Sequence, residues 1–91
     1  MPNIYFASHH ILGFVESQEG VVRVDLLHTR QFGSKVYVDL EIAVLGDISL
    51  YDAHAIAERV HGAVEQRFPQ VKHVMIHVNP AEKRNEQGTE I

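Results

Sequence analysis

The sequence predicts an α+β fold, a two-layer sandwich in the order α-β-β-α-β, on three observations. Two segments, residues 4–16 and the stretch after Ser49, carry apolar side chains at helical spacing. Two alternating apolar/polar segments lie between them, separated only by a short glycine-containing turn, which makes an antiparallel hairpin. A third alternating segment, 71–78, follows the second helix, and such a crossover places it parallel to the strand before that helix.

In the first helix, IYFASHHILGFVE, the apolar positions are Ile4, Ala7, Ile11, Leu12 and Val15, with Gly13 interrupting. Ser17-Gln18-Glu19-Gly20 stops it, since glycine takes the left-handed conformation that ends helices. The first strand reads as Val21–His28, with Val22, Val24 and Leu26 on one face and Arg23, Asp25 and Leu27 on the other. Gln31-Phe32-Gly33-Ser34 is the expected turn. Lys35–Val44 is the clearest strand: Val36, Val38, Leu40 and Ile42 point one way, and Tyr37, Asp39 and Glu41 the other.

The second helix, of about eighteen residues, begins after Ser49 as N-cap, with Asp52 at the positive end of the helix dipole. Ala53, Ile56, Ala57, Val60, Ala63, Val64 and Phe68 form its apolar stripe, and Pro69 ends it. In the third strand Val74, Ile76 and Val78 oppose His73, Met75 and His77, and Asn79-Pro80 stops it. Residues 81–91 lack periodicity and read as a flexible tail on a domain spanning 1–80. Both helices are expected on the Val/Ile/Leu face of the sheet, which leaves the other face open.

Composition narrows the function. Ninety-one residues suit one small domain, and 45% hydrophobic with 22% charged residues excludes a disordered chain. No run approaches the roughly 18 apolar residues of a membrane span, and Met1-Pro2-Asn3 has no basic n-region, so neither membrane insertion nor a signal peptide is expected. A net charge of −4 with no basic stripe argues against nucleic acid. The lack of cysteine removes disulfides, thiolate zinc sites and thiol nucleophiles. With no nucleophile elbow, Walker lysine or phosphate loop either, an enzyme is not expected.

The unusual count is seven histidines, at 9, 10, 28, 54, 61, 73 and 77. Strand parity puts Asp25, Asp39 and His77 on the open face, near Tyr37, Glu41, His73 and Met75. Carboxylate and imidazole together suit zinc, iron, manganese or nickel. A wet sheet face also carries polar residues for solvation alone, so that reading stays beside the metal one. His54 belongs to the helix layer, where a neighbouring carboxylate would complete a separate site. His28 has parity opposite to Asp25 and reads as a structural or surface residue, while His9, His10 and His61 read as surface residues.

Four stretches carry a family resemblance: Leu27–Gly33 (LHTRQFG), Val36–Ile42 (VYVDLEI), Asp52–Val60 (DAHAIAERV) and Val74–Pro80 (VMIHVNP). In this order and spacing they resemble the C-terminal cytoplasmic domain of cation diffusion facilitator (cation efflux) transporters. The resemblance implies a metallochaperone-like (ferredoxin-like) sandwich that pairs into a V-shaped homodimer beneath the transmembrane domain of the same transporter, at the cytoplasmic face of a membrane. It further implies a divalent transition metal (zinc, iron(II) or manganese) that closes the pair and favours transport. The family's ligand positions fall on Asp39, His54 and His77, and Asp25 stands where the family tends to have histidine. Asn79 departs from the aspartate common among zinc transporters. The expected layout joins Asp39 and His77 of both protomers at the dimer seam, with His54 and Glu82 in a peripheral site. The alternatives are a small-molecule-sensing module and a dimerisation domain without metal.

Overall fold

The chain forms α1 (Ile4–Glu16), β1 (Arg23–Phe32), β2 (Lys35–Val44), α2 (Leu50–Arg67) and β3 (Val71–Pro80). The structure, a computed structural model, describes residues 4–81, and side chains from Ser8 onward. β2 is the central strand of a three-stranded sheet, antiparallel to β1 and parallel to β3. This is the topology a tight hairpin followed by a helical crossover dictates.

Alternation along β2 builds the core. Val36, Val38, Leu40 and Ile42 are buried against Ile11 and Val15 of α1 and Val60 and Val64 of α2. Full burial of each such side chain contributes about 1.5–3 kcal/mol. α1 lies over β1 and α2 over β3. Phe14 and Phe68 meet edge to face with ring centres 5.6 Å apart, linking the two helices. The Ser49 hydroxyl accepts a hydrogen bond from the Asp52 backbone N–H at 2.9 Å, the N-cap its position foretells. At the other end of α1, Gly20 has φ +92°, and a Cβ there would sit 2.8 Å from Ile56 Cδ1. Arg59 donates to the neighbouring Glu19 carbonyl, tying this loop to α2.

The hairpin differs from expectation in two ways. β1 begins later and runs longer, because the turn is only Gly33-Ser34 and Phe32 already pairs with Lys35. Gly33 has φ +63° and Ser34 does not have positive φ, the pattern of a type II′ turn. More consequential is a β-bulge between Val24 and Leu26. One extra residue shifts every following side chain to the opposite face. Leu27, expected outward, packs against the core, and Leu26, expected inward, is 44% exposed. Thr29 reaches α1, its hydroxyl 2.8 Å from that of Ser8. His28 and Arg30, between and beyond these inward residues, therefore face away from the helices.

β3 continues through Asn79 and Pro80, which pair with Ala43 and Val44. An edge strand tolerates the missing proline N–H. From Glu82 onward the expected tail lies outside the described residues. Among those described, no helix is long and apolar enough to cross a membrane.

Candidate metal centre

Strand register lays out the open face in rows. Arg30, Tyr37 and His73 form one row; His28, Asp39 and Met75 the next; Leu26, Glu41 and His77 the third; Arg23, Ala43 and Asn79 the last. Among the described residues no helix covers these rows, because both helices pack on the Val/Leu/Ile side. Phe32, Tyr37 and His73 line one end, Phe32 edge-on to Tyr37 and His73 tilted against it, with successive ring centres 5.0 and 5.7 Å apart.

Asp39 sits near the middle. Its carboxylate is about one-third exposed and lies 3.8 Å from the Arg30 guanidinium. His28 is its direct cross-strand neighbour, and such pairs hold their Cβ atoms about 4.5–5.5 Å apart. His77 shares the face as expected, yet its direct neighbour is Glu41. Its relation to Asp39 is diagonal, one row further along the strands.

Asp25 also lies on this face, displaced toward one end. Arg23 Nε donates to it at 2.6 Å. The Asn79 amide donates to Asp25 at 3.0 Å and to Glu41 at 3.3 Å, so one side chain of β3 laces together carboxylates from β1 and β2. A carboxylate only accepts, so an amide NH₂ between two of them satisfies both. An aspartate in that place would satisfy neither.

His54 is the fifth residue of α2, its Nε2 3.5 Å from the Glu58 carboxylate one turn on. Both side chains are mostly exposed and, with His61, edge a groove of ≈ 640 Å³ between α2 and β3. Glu82, the expected partner of His54, lies outside the described residues.

The donors are oxygen and nitrogen, which fit manganese, iron(II) and zinc. Among the described residues, no three His, Asp or Glu side chains of one copy converge on a common point. A cation with four or more ligands thus needs donors beyond those that these residues bring together. Sequence parity missed His28 and Arg30 as neighbours of Asp39, because no glycine or proline marks the bulge.

The cytoplasmic domain of cation efflux proteins, as a family model, matches residues 7–81. The cation-efflux pump FieF of Shigella flexneri is 34% identical over 70 residues, which are 77% of this chain and 23% of that protein. The manganese efflux system protein MneP of Bacillus subtilis is 30% identical over 60 residues, 66% of this chain and 20% of that one. The chain thus spans about a quarter or less of the length of these curated relatives. Among solved structures, the MamM C-terminal domain superposes with a TM-score of 0.82 at 23% identity, covering 86% of this chain and 99% of that one. A manganese form of a MamM C-terminal-domain variant gives 0.81 at 23% identity, with the same coverage. The metallochaperone-like fold is the one these structures share with the chain. Matched over nearly all of its described length, the chain belongs to the cation efflux proteins, as their cytoplasmic domain.

Proposed function

We propose that this domain is the metal-responsive regulatory part of a divalent-cation transporter and works as a homodimer. The observation that carries this reading is the uncovered sheet face with Asp39, Glu41 and His77 in adjacent rows. Two copies related by a two-fold axis supply from both sides the ligands that one copy does not bring together. Asp39 and His77 of each protomer hold the cation at the seam. Asp25 joins only by exchanging its bonds to Arg23 and Asn79, and His54 forms a peripheral site with Glu58 or Glu82.

The relatives favour a transition metal as cation: one is named for manganese efflux, and variants of the MamM domain have been solved in manganese, nickel and copper forms. For this chain we assign manganese, zinc or iron(II). Cation bound between facing Asp39 residues removes their mutual repulsion and favours a closed pair over an open V. Only this difference in affinity between the two states shifts their populations. The closed pair then favours transport by the transmembrane domain of the same protein, at the cytoplasmic face of its membrane. The domain itself has no catalytic role in this reading.

Calorimetric titration with manganese(II) tests the seam. Asp39→Ala and His77→Ala should each weaken binding at least tenfold; wild-type stoichiometry and affinity in both would remove the seam site. The ≈ 640 Å³ groove beside α2 supports a second reading, a small-molecule sensor. That reading gains if no metal binds to the wild-type chain.

A further inference from the structure

We infer that His28 is a cation ligand, paired with Asp39 within each copy, so that the seam site of Asp39 and His77 gains a His28 from each copy. The inference rests on the seam reading above and adds a residue to it.

Three observations on β1 and β2 carry it. The bulge at Asp25 turns His28 onto the open face; without that extra residue it would point at the helices. Its flanking residues confirm the direction, since Leu27 packs on the core and Thr29 bonds to Ser8 of α1. Register then sets His28 directly opposite Asp39, whereas His77 stands one row away. An imidazole and a carboxylate at directly opposed positions of an antiparallel pair form a two-point chelate held by the backbone ladder.

His28 has no competing structural task. It is exposed, and none of the ion pairs among the described residues involves it. Arg30, its neighbour two residues on, already places a cationic group against Asp39. That shows the carboxylate to be reachable from the β1 side of the face. A two-fold axis passing beside Asp39 duplicates the pair and adds two His28 nitrogens to the Asp39 oxygens and His77 nitrogens of the seam. Such a mixed set fits manganese, iron(II) or zinc. Within one copy only His28 and Asp39 share a row and His77 stands one row away, in agreement with the lack of a three-ligand cluster among the described residues.

The test uses the full chain, manganese(II) chloride and two readouts. In calorimetry His28→Ala and His28→Asn should each weaken binding about tenfold, in step with Asp39→Ala, while circular dichroism shows the fold retained. In histidine-selective NMR of the wild-type chain, substoichiometric manganese(II) should broaden the His28 ring signal before those of His9, His10 and His61. Retained affinity in both His28 variants, with affinity lost in Asp39→Ala, overturns the inference and leaves the seam reading standing. Retained affinity in Asp39→Ala overturns both. A His28 signal broadened no earlier than those of the surface histidines also overturns the inference.

Discussion

Arg30 is the nearest cation to Asp39, and removing its charge should tighten metal binding. The perturbation is Arg30→Gln, which keeps length and polarity. Two contributions set the magnitude. The Arg30–Asp39 contact at 3.8 Å, with side chains 56% and 36% exposed, is a solvated ion pair worth about 0.2–1 kcal/mol, which an incoming cation must displace. The displaced guanidinium then repels the dication. At about 6 Å in a water-like dielectric this is about 1.4 kcal/mol, and salt screening halves it to about 0.7 kcal/mol. Together they predict a gain of about 1–2 kcal/mol, a five- to thirtyfold tightening. Calorimetry with manganese(II) at low salt measures it, and repetition at about 0.3 M salt should shrink the gain. Unchanged or weaker binding by Arg30→Gln at low salt would refute Asp39 as a ligand held in check by Arg30.

Three further perturbations probe the rest. Leu40 is fully buried on the central strand between Leu27 and Ile76, so Leu40→Ala should cost about 2–5 kcal/mol in urea denaturation; a loss under about 1 kcal/mol contradicts the packing. Asn79→Asp replaces the shared amide donor with a third carboxylate beside Asp25 and Glu41. It should destabilise the metal-free chain by about 1–3 kcal/mol and be rescued by millimolar divalent cation, and an unchanged melting temperature would count against the clasp. Imidazole ligates only in its neutral form, so manganese affinity should be weaker at about pH 5.5 than at about pH 8. Equal affinities at the two pH values would rule out histidine ligation.

Much of this structure is legible in the residues. The stripe of α2 with Ser49 before it, the alternation of β2 and the crossover to β3 follow from periodicity and chain connectivity, and each appears where the pattern puts it. The open face follows too, since two helices cover only one side of a sheet. What periodicity does not carry is the register of β1. A bulge inserts a residue without a glycine, a proline or a break in β-propensity, and parity counted through Asp25 then goes wrong by one. That single step moved His28 and Arg30 out of reach of the sequence reading and exchanged Leu26 with Leu27. Pairing of Asn79 with two carboxylates was equally hidden, because it depends on how far β3 extends beside β2. A seam site adds a third obstacle: half of its ligands belong to another copy.

Small-angle X-ray scattering of the chain with and without manganese(II) tests the central claim most directly. A metal-closed homodimer predicts a dimeric mass in both states and a smaller radius of gyration with metal, with the contraction lost in Asp39→Ala. A monomeric mass throughout, or identical dimer curves with and without bound metal, would contradict it.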